Sequence, residues 1–428
     1  MEAARALYTL LGAATLPWLP LRLWWRGRSE PGYREDVAQR FGRYPAAAVR
    51  RDAGLYWLHA VSVGETRAAA PLLQRLQRAY PGATILMTHM TATGRETGRA
   101  LFGDSVVQAW LPYDMPFAVR AFYRRFRPRA GFLLETELWP NLVAEAHALS
   151  IPVYLVNARL SERSARGYQR FAAITRPMLG RLAGVAAQSD ADATRLSALG
   201  APTPVVTGNL KFDVIVPPEA LELAGEFRRR YGAARSVWVA GSTRDGEEAL
   251  ILDALARRPL PGQPLLVIVP RHPQRFAAVA ELLRSRAIAF VRRSSGAPVP
   301  ADVGVVVGDS MGEMLSYYAA ADLSFVGGSL LPLGGQNLIE SLAVGTPVLI
   351  GPHSFNFADA TRGAIEAGAA RRVSDAAALV EGVAALLEDR AARATMSEAA
   401  RAFHALHAGA ADRLWDWLAP QLRGARAN

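Results

Sequence analysis

The sequence predicts an α/β protein built from two doubly wound, parallel-sheet halves, and three observations point there. Short apolar runs alternate with helical stretches along most of the 428 residues, the pattern of strands joined by crossover helices. The alternation breaks once, at Asp213–Pro218, and then restarts. Within the restarted part, Ala321–Phe357 reads as strand, glycine loop, helix and strand, a complete βαβ unit. A chain of this length also exceeds a single hydrophobic core, so size alone calls for two domains.

Taken in order, residues 1–28 read as a membrane-anchor helix. Ala6–Leu21 is apolar and closes with Arg22, Trp24, Trp25, Arg26 and Arg28. A span needs about 20 apolar residues, and Pro17 and Pro20 spoil the end of this one. No small-residue cleavage site follows, as a secretory signal would require. Tryptophan and arginine at the end of an apolar helix suit a headgroup interface with the basic side cytoplasmic. Tyr33–Tyr44 is expected to be a polar, basic helix and Pro45–Ala53 a linker. The first sheet domain, 29–213, then places strands at Leu55–Leu58, Thr84–Met87, Val106–Trp110, Gly131–Leu134, Val153–Val156, Gly184–Ala187 and Pro204–Val206. The second, 219–405, places them at Val237–Ala240, Leu265–Val269, Ala287–Val291, Val303–Val307, Leu323–Val326 and Val348–Ile350. A last helix within 406–428, carrying Trp415 and Trp417, is a candidate to pack back on the first domain.

Composition narrows the chemistry. The absence of cysteine excludes disulfides, thiolate metal sites and a thiol nucleophile. A net charge of +11 asks for an anionic partner: a membrane surface, a phosphorylated substrate or nucleic acid. No motif supports nucleic acid.

Ligands of open parallel sheets bind outside the carboxyl ends of the strands, and the polar residues of both halves collect there, facing one expected cleft. HAVSVGE (59–65) joins a strand to a helix with Glu65 in its first turn; that carboxylate could take a proton from a hydroxyl or simply complement the helix dipole. LETELWPN (134–141) puts Glu135 and Glu137 on one face of an extended chain. Lys211 in GNLK and Arg271 in VPRH are natural phosphate partners. Ser310 and Glu313 in GDSMGEM have capping-box spacing. The pairs Gly327-Gly328 and Gly334-Gly335 leave backbone N–H groups uncovered where a helix opens at Gln336-Asn337, a place that favours an anion. Glu340 would then reach a ribose, unless Asn337 is only a cap and Glu340 only a dipole partner. Arg159, Arg163, Arg166 and Arg170 share one face if helical, suited to an anionic acceptor. Asp190-Ala-Asp192 resembles a metal pair but sits where a cap and a first-turn acid belong.

Together, HAVSVGE, LETELWPN, NARLSERS, GNLKFD, AGSTRDGEE, VPRHPQRF, GDSMGEM, GGQNLIE and GPHSFNF resemble the bacterial 3-deoxy-D-manno-octulosonic acid (Kdo) transferases over nearly the whole chain. The resemblance implies a GT-B fold and transfer of Kdo from CMP-Kdo to a lipid A precursor at the cytoplasmic side of the cell inner membrane, whose anionic surface is a further partner. It implies no cofactor. By resemblance Glu65 is the catalytic base, supported by Glu135, less so Glu137, and by Lys211, and Pro270, Arg271, Gly312, Glu313, Met314, Asn337, Leu338, Ile339 and Glu340 would hold CMP. The acceptor is assigned to Arg159, Arg163 and Arg166 from their spacing after a strand end, not from the resemblance. Gln336 departs from the histidine that many relatives carry in GGHN. Two other classes fit parts of the pattern: a GT-B enzyme using a UDP-sugar and a lipid-linked acceptor, which a nucleotide panel separates, and a non-catalytic protein binding an anionic glycolipid.

The leaving group would be a phosphate ester flanked by Lys211 and Arg271, and the lone Asp-x-Asp reads as a cap, so no metal is required. Activity is expected to survive excess chelator. A loss restored by Mg²⁺ would bring Asp190 and Asp192 back as ligands.

Overall fold

Runs such as Leu265–Pro270 (LLVIVP) are apolar at every position, as strands of a sheet covered on both faces must be. The computed structural model describes residues 3–45 and 54–424 and divides the chain into two compact units. One takes the residues up to Asp213 together with those from Ala408; the other is Val214–His407.

The first unit holds β1 (Leu55–His59), β2 (Thr84–His89), β3 (Val107–Trp110), β4 (Ala130–Leu134), β5 (Val153–Ala158), β6 (Gly184–Ala187) and β7 (Val205–Val206). They pair in parallel in the order β3-β2-β1-β4-β5-β6-β7. The order reverses between β1 and β4, which leaves a crevice at their carboxyl ends. Alternate residues of β1 serve the two faces: Leu55 and Trp57 pack with Phe122, Tyr123 and Leu142, while Tyr56 and Leu58 pack with Leu72 and Leu76. The C-terminal helix Ala410–Gly424 closes that second face with Leu414, Leu418 and Leu422, and Trp417 meets Tyr154 edge-on at 5.8 Å. Its first turn is held by Asp213, whose carboxylate accepts the N–H groups of Gly409 (2.6 Å), Ala410 (3.1 Å) and Ala411 (2.5 Å).

The second unit holds β8 (Val237–Thr243), β9 (Leu265–Pro270), β10 (Phe290–Arg292), β11 (Val305–Val307), β12 (Leu323–Val326), β13 (Val348–Ile350) and β14 (Ala370–Arg372). The order is β10-β11-β9-β8-β12-β13-β14, again parallel, with the reversal between β8 and β12. The edge strand β14 has no apolar run in its Ala-Arg-Arg sequence, and so gives no strand signal.

The N-terminal segment differs from the single anchor helix expected. It is a helix Ala3–Thr15, a 3₁₀ turn Leu16–Trp18 and a second helix Leu19–Arg26, with Pro17 and Pro20 at the openings of the second and third pieces. Proline lacks an N–H and is tolerated only in a first turn, so each one restarts the helix. Among the described residues no helix is long and apolar enough to cross a membrane. The segment is also docked on its own unit: Asn141 donates to the Thr9 hydroxyl (3.0 Å), and Leu23 is buried. In place of a helix over Tyr33–Tyr44 there are two 3₁₀ turns, Pro31–Arg34 and Val37–Phe41. They wrap Trp110, which donates to Gln39 Oε1 (2.9 Å) and the Glu35 carbonyl (2.8 Å) under the Arg40 guanidinium at 3.8 Å; these tertiary contacts override local helical preference. Of the expected linker Pro45–Ala53, all but Pro45 lies outside the described residues.

Replacing Asp213 by alanine removes the acceptor of three amides at a helix start. We expect a loss of about 1–3 kcal/mol, read as a melting temperature several degrees lower; an unchanged melt would show that solvent satisfies these amides equally well.

Candidate functional site

At the carboxyl end of β1 the chain turns through Ala60-Val61-Ser62 into a short helix, Val63–Ala68. Ser62 is its N-cap: the Ser62 hydroxyl accepts the Glu65 N–H (3.3 Å) and donates to Glu65 Oε1 (2.8 Å). The Val61 N–H donates to Glu65 Oε2 (2.9 Å), which completes a reciprocal capping arrangement. The Ser62-x-x-Glu65 spacing carries this box in the sequence itself, a signal that reading Glu65 as a lone first-turn acid overlooks. Glu65 is 8% exposed. Burial pushes its carboxyl up from 4.5 to about 7, against the Val61 hydrogen bond that lowers it and with the charges of Glu135 and Glu137 that raise it further. Each carboxylate oxygen keeps a second acceptor direction beyond the bond it already receives.

β4, next to β1 across the reversal, is followed by Glu135 at φ +57°, a left-handed backbone that a non-glycine residue seldom adopts and that clusters at functional sites. That kink is why Glu135 and Glu137 do not share an extended face as the sequence suggests. Glu135 turns to Lys211, Oε1 to Nζ at 2.7 Å. Glu137 instead accepts from Trp139 Nε1 (3.2 Å) and lies 4.0 Å from His59 Nε2. Burial, then Glu135, raises the Glu137 carboxyl, while burial lowers His59 to about 3, so this imidazole is neutral. Lys211 is placed by its 3₁₀ turn Leu210–Phe212, pinned by Leu210 N–H to Asn157 Oδ1 (3.0 Å); a Cβ on Gly64 would lie 3.9 Å from Lys211 Cε. The fold thus gathers Glu65, Glu135, Glu137 and Lys211 at one switch point.

The arginine row is only partly on one helix. Arg163, Arg166 and Arg170 ride the helix Glu162–Arg170, which has no buried residue, but Arg159 precedes it, one residue beyond β5. The cap expected from the Asp-x-Asp pair is supplied by Ser189 instead: its hydroxyl accepts the Asp192 N–H and donates to Asp192 Oδ2, both aspartates are first-turn acids of the helix Asp190–Ala198, and Asp192 Oδ1 accepts the Leu160 N–H (2.8 Å). A cavity of about 380 Å³ is lined elsewhere in this unit, by residues that include Glu35, Arg95, Arg99 and Trp110, and none of the carboxylate cluster borders it.

In the second unit Pro270 ends β9 and Arg271 follows, its Nε donating to Gln336 Oε1 (3.2 Å). Gly312 has φ +80° and open space where a Cβ would be. Ser310 and Glu313 do not form the expected capping box. The helix begins at Met314 without a side-chain cap, because the Glu313 carboxylate is taken by Arg293 (2.8 and 3.1 Å) and the Ser310 hydroxyl. The glycine stretch also differs from its sequence reading. The helix covers only Ile339–Ala343, and most loop amides are already used. Gly335 N–H donates to the Gly328 carbonyl (2.7 Å) and Gln336 N–H to that of Gly327 (2.9 Å). Those of Gly328, Ser329 and Leu330 donate to the buried Glu247 carboxylate. Asn337 Oδ1 accepts the Ile339 N–H (3.0 Å). Leu338 and Ile339, expected to hold the nucleotide, are fully buried, main chain included, so no ligand reaches them here; Asn337 and Glu340 are half-buried, the latter in the first turn. Glu247 gives no signal of its own in the sequence, where it looks like any other first-turn acid, yet it is the residue that organises this loop.

Residues 35–214 match the family described as 3-deoxy-D-manno-octulosonic-acid transferase (kdotransferase), and residues 291–403 match glycosyl transferases group 1. The chain is 46% identical over 430 residues to the 3-deoxy-D-manno-octulosonic acid transferase of Bordetella pertussis, covering 97% of this chain and 99% of that one. It is 39% identical over 399 residues to the enzyme of the same name from Haemophilus influenzae, covering 92% of each. In three dimensions it resembles a glycosyltransferase from Rickettsia africae with a TM-score of 0.56 at 14% identity, over 88% of this chain and 99% of that one; at that identity the likeness concerns the fold.

Because the folded Glu65 carboxyl titrates near 7 against 4.5 when exposed, the native state holds the extra proton between those values. Wild-type stability therefore falls as pH rises through about 4.5 to 7, and the deficit persists above it. Glu65→Gln keeps the capping pattern and does not titrate. Its stability relative to wild type should rise by about 2–4 kcal/mol from pH 5 to pH 8. A difference that stays constant across parallel melts would show that Glu65 is not titrating in this window.

Proposed function

The chain belongs to the 3-deoxy-D-manno-octulosonic acid transferase family, and from that premise we propose how its residues move Kdo from CMP-Kdo to a lipid A precursor. The observation that carries the reading is Glu65: a carboxyl at a switch point, raised to about 7 and flanked by the Glu135–Lys211 pair. A base titrating near the working pH is both available and strong enough to take a proton as the bond forms.

In the proposed step a hydroxyl of the acceptor gives its proton to Glu65 as its oxygen attacks the anomeric carbon of Kdo. The bond from that carbon to the phosphate oxygen breaks, and the electron pair leaves with CMP. Attack opposite the leaving group inverts the configuration. Lys211, fixed by Glu135, supplies positive charge at the reacting centre, and Glu137 serves in hydroxyl binding. In the second unit Arg271 meets the phosphate, the Gly312–Met314 loop and Asn337 flank the nucleotide, and Glu340 takes the ribose. The exposed Arg163 and Arg166 meet acceptor phosphates, with Arg159 beside them.

The N-terminal helices favour association with the cytoplasmic side of the inner membrane by lying on it. Leu7, Leu10, Leu11, Trp18, Leu21, Trp24 and Trp25 are exposed, interleaved with Arg22, Arg26 and Arg28, the composition of an interfacial helix over anionic lipid.

Glu65→Gln should fold, bind CMP-Kdo nearly normally and lose at least about 10² in turnover, followed by mass analysis of the glycolipid product. Near wild-type turnover would reduce Glu65 to a helix cap and move the base to Glu135 or Glu137.

A further inference from the structure

We propose that Glu247 is a positioning residue for the donor site: its carboxylate fills the anion nest of the first glycine turn and, through Gln336, sets the direction of the Arg271 guanidinium. Glu247 opens the helix Glu247–Arg257, which follows β8 after the turn Arg244-Asp245-Gly246, and β12, which leads into the glycine turn, is the neighbour of β8 across the reversal in strand order. Its side chain is fully buried. It accepts four main-chain N–H groups: Arg244 (2.9 Å) and Gly328 (2.6 Å) on Oε2, Ser329 (3.0 Å) and Leu330 (3.0 Å) on Oε1. Successive amides converging on one anion form a nest of the kind that elsewhere holds phosphate. Here the protein's own carboxylate occupies it, so the donor phosphate is excluded from these amides.

The turn so fixed is a template for the next. A Cβ on Gly327 would come within 2.6 Å of the Ser242 carbonyl oxygen, so the turn is pressed against the end of β8. Its carbonyls at Gly328 and Gly327 then accept the N–H groups of Gly335 and Gln336, and the Gln336 side-chain oxygen accepts from Arg271 Nε at 3.2 Å. A guanidinium is planar, so one contact at Nε restricts the direction in which its terminal nitrogens present themselves. Contacts therefore run from carboxylate to first turn, second turn, amide and guanidinium, all within the second unit. The effect on the donor rests on the proposed role of Arg271 as its phosphate contact.

In Glu247→Gln an NH₂ group replaces an acceptor and points at donors. The KM for CMP-Kdo should rise at least about tenfold while kcat changes less than about threefold. In ligand-free protein, hydrogen exchange at Gly328–Leu330 should speed up relative to wild type. Formate, a carboxylate small enough for the vacated nest, should lower the raised KM of Glu247→Ala. Gln336→Ala, at a half-buried position, should raise the KM in the same way and decides the matter if the Glu247 variants do not fold. The proposal is overturned if Gln336→Ala leaves the KM within about twofold, or if Glu247→Gln loses kcat with an unchanged KM. Should wild-type protein fail to bind CMP-Kdo, the donor reading falls instead, and unchanged exchange at Gly328–Leu330 in Glu247→Gln would still overturn the clamp.

Discussion

Where a parallel strand ends and the chain turns toward a helix, main-chain amides lose their ladder partners before helical ones begin, and in both units carboxylates accept them. Asp114 takes the amides of Asn141 and Leu142, Asp192 that of Leu160, and Glu65 that of Val61. Glu247 does the same for a whole turn. A bond to an ionised carboxylate is charge-assisted and stronger than a neutral one, and those of Asp114, Asp192 and Glu247 join stretches of chain far apart in sequence.

Keeping carboxylates at low exposure has a cost, and the two units meet it differently. Glu247 is compensated by four amides. Glu65 receives two hydrogen bonds but faces two other acids, and its ionised form is disfavoured accordingly. That imbalance suits the proton-acceptor role proposed for Glu65 near neutrality. Asp114 stands in between: burial lifts it to about 6 despite the Asn141 and Leu142 amides, and its partners tie the N-terminal helix to the first sheet.

Most strands are legible in the sequence because a strand buried on both faces has no polar positions to confuse the pattern. Glu65, Glu135 and Lys211 are legible because polar residues at strand ends stand out against such runs. The left-handed turn at Glu135 is not, since no glycine or asparagine marks it. The glycine stretch misleads for a different reason: its amides look uncovered locally, and the carboxylate that takes them lies 81 residues earlier in the chain than Gly328. The same holds for residues 31–41, whose conformation is set by Trp110. Hydrogen bonds between distant segments leave no mark in a local pattern, whereas burial does.

The first unit is built from two stretches of chain, with the helix Ala410–Gly424 laid over the face formed by Tyr56, Leu58 and Leu72. On the ribosome that helix emerges only after residues 214–407 have been made, a delay of roughly 10–40 s at typical translation rates. Until then the part of that face that meets Leu414, Leu418 and Leu422 lacks its cover, and Asp213 lacks the amides of Gly409, Ala410 and Ala411. The second unit, continuous in sequence, has its whole core available earlier. The unit whose synthesis begins first is therefore the one completed last.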